Sequence, residues 1–287
     1  MASAVVTKGL RHLARSFGRQ THFLTASRRL VQSLPKMQKL MENYCPNVSR
    51  PIVKKTNHPF IILVEGNIGS GKTTFLKQFE HLPNATVIPE PVNRWTAVGG
   101  QHNLLQLMYE EPKKYALALQ TYIQLTMLQN HRHPVTTEFK LMERSLHSAR
   151  YCFVENLFRS GVLSEVETLV LDEWFQHLIT AEAAACKADV AVYLRTDPEV
   201  ALRRIQLRAR ESEKTVGLDY LRSLHELHEE WFLKQSYFPL PCERIVCIDA
   251  NQTADIVRDE FYRQMSRFNI NPQHRLTKQG CNTINED

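Results

Sequence analysis

Long apolar runs are missing from this 287-residue chain: charged or polar residues interrupt every candidate, 60–65 and 188–194 included, well short of the ~18 to 20 residues that a membrane-spanning helix needs. A soluble protein is expected. Cysteine is sparse as well. The six, at 45, 152, 186, 242, 247 and 281, have neither the density of a disulfide scaffold nor the paired C-x-x-C spacing of a zinc site, so reduced thiols are expected. Internal repeats and low-complexity tracts are absent too. With 43% hydrophobic, 9% aromatic and 23% charged residues, the chain can bury the core of one large or two small domains, which excludes a disordered or collagen-like protein.

Acidic residues are missing at one end only. The first 41 positions have none, and residues 1–58 carry eleven Lys and Arg against the single acid Glu42. Of 36 basic and 30 acidic residues overall, 25 and 29 remain beyond position 58, a net of −4. The overall charge of +6 is therefore a property of the leader, and a basic nucleic-acid footprint on the folded part is not supported. The leader is rich in Arg, Ser and Thr, sets Leu10, Leu13 and Phe17 opposite Arg11 and Arg15 on a helical projection, and lacks the apolar core of a secretory signal. That is the profile of a mitochondrial transit peptide, with a disordered basic arm as the alternative. Mitochondrial, matrix localisation is expected, or cytoplasmic or nuclear if the leader is not functional.

The organisation then reads as a basic leader and linker over 1–58, one domain over 59–268 and a flexible polar tail over 269–287. Apolar stretches at 60–65, 85–90, 140–143, 190–194 and 244–248 predict five strands, and helical patterns fall at 71–79, 112–130, 146–158, 165–180, 198–210 and 218–234. Strands alternating with helices of this length predict an α/β fold, a five-stranded parallel sheet flanked by helices.

The clearest motif joins the first strand to the first helix. Gly66-Asn67-Ile68-Gly69-Ser70-Gly71-Lys72-Thr73 satisfies G-x-x-x-x-G-K-[ST] in the required strand–turn–helix setting, followed by Thr74. Such a loop wraps a phosphate chain with backbone N–H groups, Lys72 reaches the β and γ phosphates, and the Thr73 hydroxyl can hold Mg²⁺. A nucleoside triphosphate, with Mg²⁺, is therefore expected. The motif does not say where the phosphoryl group goes. GTPases usually add the guanine reader N-K-x-D, a string that does not appear.

A small-molecule kinase needs instead a carboxylate near the acceptor hydroxyl and arginines that neutralise transferred charge. Glu90 ends the second apolar strand, at the ligand-binding edge of a parallel sheet. Position alone leaves it a general base, an outer-sphere Mg²⁺ contact or a plain strand-end acid. Glu143 and Arg144 close the third strand in the same way, Arg144 being equally readable as a surface cation. Arg203, Arg204, Arg208 and Arg210 cluster just before Glu213, either a mobile arginine-bearing lid or a solvated helix face.

Taken together, Glu65 to Thr74, Glu90-Pro-Val-Asn-Arg-Trp95, Leu107-Met-Tyr109, Gln120 to Met127, Met142 to Asn156 and Tyr193 to Glu199 resemble, in matching order, the deoxyribonucleoside kinases, and within them the insect multisubstrate and mitochondrial thymidine kinases. The likeness spans about 60–250. It implies a P-loop kinase fold with an arginine-bearing lid and transfer of the ATP γ-phosphoryl to the 5′-hydroxyl of a deoxyribonucleoside. By the same likeness Glu90 is the base, Arg144 holds that base and the transferring group, and Glu143 joins Thr73 at Mg²⁺. Gln120 pairs with the nucleobase edge, Phe153 stacks on it and Trp95 walls the pocket. Tyr109 and Glu213 grip the 3′-hydroxyl, and Arg204, Arg208 and Arg210 belong to the lid.

Ile123, Met127 and Ala149 fall at the positions that tune base choice in the family; deoxycytidine kinase carries arginine and aspartate at the latter two. Apolar Met127 and small Ala149 leave room for the thymine methyl, so thymidine and deoxycytidine are expected acceptors, with purine deoxynucleosides open. Ile123 stands where valine is usual, and Gly217 where a proline is common. The resemblance also implies a homodimer and feedback by a deoxynucleoside triphosphate. No direct nucleic-acid or membrane partner is expected. Two alternatives stand beside this: a thymidylate-type monophosphate kinase, whose acceptor phosphate Glu90 would repel, and a non-catalytic mitochondrial accessory subunit of the same fold.

Overall fold

The computed structural model describes residues 58–210, 213, 216–234, 237–268 and 270. The expected leader and, Ile270 apart, the expected tail lie outside the described residues. Five strands, β1 (Phe60–Glu65), β2 (Ala85–Ile88), β3 (Phe139–Glu143), β4 (Val190–Arg195) and β5 (Ile245–Asp249), form one sheet in the order β2-β3-β1-β4-β5. Every pairing is parallel, β1 in register with β3 from Phe60 opposite Phe139 and with β4 from Ile62 opposite Val190. Parallel neighbours need crossover connections, and helices supply them. Those are α1 (Lys72–Lys77), α2 (Val92–Trp95), α3 (Leu104–Glu110), α4 (Pro112–Arg132), α5 (Leu146–Ser148), α6 (Glu155–Arg159), α7 (Glu165–Ala181), α8 (Ala183–Cys186), α9 (Pro198–Arg208) and α10 (Leu218–Phe232), with a π-helical turn, Ala149–Val154, joining α5 to α6; α11 (Ala254–Arg267) follows the last strand.

Side chains alternate across a strand, and the core divides accordingly. Ile62 and Val64 face α1 and α11, where Phe75, Phe79 and Phe261 pack with ring centroids 5.0 to 5.3 Å apart. Leu63 faces the opposite layer with Met142, Tyr193 and residues of α4, the π turn, α7 and α10. A central strand buried on both sides explains its unbroken apolar run. From β1 the chain goes out to the edge strand β2, comes back to β3 beside β1, and then crosses β1 to β4 and β5, so the strand order reverses beside β1. A crevice opens at the carboxyl ends of the strands at such a point.

Several expected boundaries move. The second strand ends at Ile88, because Pro89 cannot donate to the ladder, and Glu90 sits in the following loop. The helix expected over 146–158 is divided by the π turn, and that over 198–210 stops at Arg208, where Ala209 turns left-handed at φ 50°. Helix α11 had no place among the expected elements, although Val257, Phe261 and Met265 fall on one face at i, i+4 and i+8. No described helix is long and apolar enough to cross a membrane.

Candidate active site

The loop after β1 crosses the crevice floor. Gly69 has φ +75°, and a Cβ there would stand 2.5 Å from the Ala201 carbonyl of α9, so its glycine is required by packing as well as backbone angle. At Gly71, φ +94°, the nearest atom a Cβ would meet is Arg204 Nη1 at 3.8 Å; the angle alone matters there. Lys72 starts α1, buried, its ammonium donating to the Gly66 and Asn67 carbonyls at 3.2 and 2.7 Å. Burial, reinforced by Arg144, pushes its pKa down to about 7 against the pull of Glu143, Glu90 and Glu65. Beside it Thr73 Oγ1 donates to Glu143 Oε1 at 2.8 Å.

Arg144 follows β3 and is 4% exposed, so the surface-cation reading falls. Its guanidinium lies 3.0 Å from Glu90 Oε1, donates from Nη1 to the Gly66 carbonyl at 2.8 Å, and covers the Phe153 ring at 4.6 Å. Glu90 is thus drawn to the phosphate loop although it lies beyond its strand. Burial raises the Glu90 pKa against the pull of Arg144, with Glu143 adding to the rise. A carboxylate made more basic, yet held ionisable by one guanidinium, is suited to accept a proton.

These groups line a cavity of about 590 Å³. Its far wall comes from α4, where Gln120, Ile123 and Met127 share one face at i, i+3 and i+7, and from the π turn, which contributes Ala149 and Phe153. Gln120 is 2% exposed, and its Oε1 has no hydrogen-bond partner in the protein. Trp95 closes one side, its indole N–H fixed to Thr126 Oγ1 at 2.8 Å. At the remaining end stand Tyr109, Glu213, Arg208 and Arg210. Glu213 pairs with both arginines, its Oε2 3.1 Å from Arg208 Nε and its Oε1 3.5 Å from Arg210 Nη1. Burial, then the neighbouring Tyr220 and Glu213, raises the Tyr109 phenol well above its usual pKa.

Ile68, Gly69, Gly71, Lys72, Thr73 and Thr74 also line the cavity. Gly66, Asn67, Ser70 and Arg204 do not. Asn67 turns its amide away to the Leu221 carbonyl, 2.8 Å, and Arg204 lies on the outer side of the loop, reaching the Ser70 and Gln252 carbonyls at 3.4 and 3.3 Å. Two residues that motif reading passed over are close by. Tyr220 of α10 lines the cavity. Glu65, fully buried, accepts from Ser145 Oγ at 2.6 Å and has its pKa raised by burial. Glu65 directly precedes the glycine motif, a signal that was available; Tyr220 opens a helix with no motif around it.

The sequence profile of the deoxynucleoside kinases matches residues 62–270. The chain belongs to the deoxynucleoside kinase family. Mitochondrial thymidine kinase 2 of Homo sapiens is 45% identical over 215 residues, covering 75% of this chain and 79% of the relative. Deoxycytidine kinase of Homo sapiens is 32% identical over 219 residues, 67% of this chain and 84% of the relative, and deoxycytidine kinase 2 of Gallus gallus 32% over 197 residues, 61% and 74%. The protein is therefore a nucleotide-using kinase that phosphorylates deoxyribonucleosides, and its parallel sheet with a glycine loop is the P-loop kinase fold expected. The non-catalytic and monophosphate-kinase alternatives fall with that assignment.

Proposed function

We propose that this deoxynucleoside kinase transfers the γ-phosphoryl of ATP to the 5′-hydroxyl of thymidine and deoxycytidine, with Glu90 as base. The observation that carries this reading is the Glu90–Arg144 pair, 3.0 Å, in the same cavity as Lys72 at one end and the unpartnered Gln120 Oε1 at the other. Glu90 takes the proton of the attacking hydroxyl. Lys72, Arg144, Arg208 and Arg210 spread the charge of the in-line transfer, and no covalent enzyme intermediate is needed. Arg204 acts from outside, by bracing the loop at Ser70.

Thr73 and Glu143 would hold Mg²⁺. Their oxygens converge at 2.8 Å, and a single hydroxyl with a single carboxylate suits an ion bound largely through substrate phosphates. When bound, the ion neutralises phosphate charge.

Gln120 offers the base edge an acceptor and a donor, serving thymine and cytosine alike. Phe153 stacks on the base and Trp95 walls it, while Ile123, Met127 and Ala149 leave space for the thymine methyl. Tyr109 and Glu213 take the 3′-hydroxyl. The acid-free first 41 residues, and a mitochondrial relative, support a mitochondrial location. On α7 an exposed apolar stripe, Val166, Leu169, Val170 and Trp174 at i, i+3, i+4 and i+8, supports a homodimer, checked by sedimentation. The continuity of donor and acceptor ends in one cavity supports feedback by a deoxynucleoside triphosphate that bridges them.

Chromatography of reactions with Mg-ATP and, in parallel, thymidine, deoxycytidine, deoxyadenosine, deoxyguanosine, uridine and thymidine monophosphate tests the acceptor. 5′-Monophosphates of thymidine and deoxycytidine are expected. Exclusive use of purine deoxynucleosides would overturn the reading of Met127 and Ala149.

A further inference from the structure

Tyr220 has no part in the roles assigned above, yet it lines the same cavity as Tyr109, Glu213, Arg208 and Arg210 and packs on one cluster with Tyr109. Its ring packs with that of Tyr109 and with the Ile68 side chain against a small apolar cluster of Ala201, Ile205, Val216 and Leu221. The turn that carries it is fixed from the donor side. Asn67, 2% exposed in the phosphate loop, donates its side-chain amide to the Leu221 carbonyl at 2.8 Å, and its Oδ1 accepts from the Ile68 N–H at 2.8 Å. This bond ties the first turn of α10 to the phosphate loop.

A secondary hydroxyl has one proton to donate and two lone pairs to fill. Glu213 is a carboxylate and can only accept; it takes the proton, while also serving Arg208 and Arg210. Two donors are then needed for the lone pairs, and Tyr109 supplies one. A second phenol within the same small cluster is the complementary partner. Burial pushes the Tyr220 phenol up to about 12 and raises that of Tyr109, so both stay protonated donors near neutral pH.

We propose that Tyr220 is a specificity-determining residue of the acceptor site, its hydroxyl a third polar contact on the 3′-hydroxyl beside Tyr109 and Glu213, set in place by Asn67. The inference rests on the acceptor reading above. It also gives the hydrogen bond of the Asn67 amide to the Leu221 carbonyl a purpose, since that side chain fixes the sugar contact.

Tyr220→Phe removes only the phenolic oxygen and retains the ring packing. Steady-state kinetics of the full chain and this variant are compared with thymidine and 3′-deoxythymidine, alongside calorimetric binding of thymidine and thermal unfolding. With thymidine, kcat/KM is expected to fall about tenfold, mostly through KM, with a matching loss in binding. With 3′-deoxythymidine the fall is expected to stay under about twofold, because the lone pairs that Tyr220 serves are absent. Equal losses on both acceptors with a lowered Tm would make Tyr220 a packing residue and overturn the proposal, as would an unchanged kcat/KM for thymidine. Failure of the acceptor reading itself looks different: the unmodified enzyme would then phosphorylate neither compound, or both alike.

Discussion

Glu90→Gln separates a base from a counter-ion. The Glu90 side chain is 18% exposed and that of Arg144 5%, with 3.0 Å between them, so the substitution has two distinct costs. Losing a general base costs roughly 10²- to 10⁴-fold in rate, about 3 to 5 kcal/mol of barrier. Breaking a fully buried ion pair costs about 3 to 5 kcal/mol of stability. Here that figure is an upper bound, because Glu90 keeps some contact with solvent, Gln retains an oxygen toward Arg144, and Arg144 keeps the Gly66 carbonyl and the Phe153 face. About 1 to 2 kcal/mol is expected, a Tm lowered by roughly 2 to 8 °C for a domain of this size. Quenched-flow measurement of thymidine monophosphate at saturating ATP and thymidine reads the first cost and thermal unfolding the second. The expected result is a kcat reduced at least a hundredfold, thymidine binding changed by less than about threefold, and a modest fall in Tm. A kcat within tenfold of the original, with the Tm lowered, would show that Glu90 serves only to neutralise Arg144.

Three further outcomes follow from the same geometry. Glu90 must be ionised to accept a proton and its pKa is raised, so activity should climb with pH through a value above 4.5, whereas the buried Lys72, at about 7, loses its charge as pH rises; kcat/KM for ATP should therefore decline above about pH 7. Bound phosphates favour the ammonium, so kcat at saturation should hold to higher pH, and a kcat/KM flat from pH 6 to 9 would contradict the buried-lysine argument. Gly69→Ala combines a positive φ, about 1 to 2 kcal/mol, with a 2.5 Å approach to the Ala201 carbonyl, about 1 to 3 kcal/mol more, whereas Gly71→Ala carries only the first cost. Thermal unfolding without nucleotide should show the larger fall for Gly69, and equal falls would refute the packing account. Installing the deoxycytidine-kinase pair, Met127→Arg with Ala149→Asp, should fill the space left for the thymine methyl and lower thymidine kcat/KM relative to deoxycytidine by about 1 to 3 kcal/mol, checked by competing the two acceptors in one reaction.

What the sequence disclosed depended on whether a feature repeats locally. The apolar run of β1 and the glycine spacing after it fix a strand, a turn and a helix among adjacent residues, and all three appear as read. The face shared by Gln120, Ile123 and Met127 follows from helical spacing once α4 is recognised. Strand order does not, because period-2 alternation says that Leu63 and Val64 face opposite layers and nothing about which strand lies beside them. The π turn is one extra residue in a helical winding, with no signature in residue type, and it is what presents Ala149 and Phe153 to the cavity. Helix α11 was legible in principle; its three buried apolar positions are outweighed by charged neighbours. The side chains of Asn67 and Arg204 lie off the cavity for one reason: a motif names a loop, while packing against α9 and α10 decides which side chains of that region face inward.

Arg144 shows why the site had to be seen in three dimensions. It is one of two non-glycine residues with positive φ among those described, at 64°, a conformation that costs roughly 1 to 2 kcal/mol. Its N–H still completes the sheet, donating to the Val64 carbonyl at 2.9 Å, and the next residue, Ser145, caps α5 through a bond from the Ser148 N–H. The chain thus passes from an unbroken strand to a capped helix in a single residue, and the left-handed turn accomplishes it. A glycine would relieve the strain there and lose everything else. The guanidinium reaches Glu90 and the Gly66 carbonyl at once, and its planar fork does so with little freedom to rearrange, which a lysine could not match. In the proposed mechanism the strained backbone therefore has a function: it holds the base that deprotonates the acceptor to the loop that holds the donor, so that the two reactants are aligned by one rigid junction.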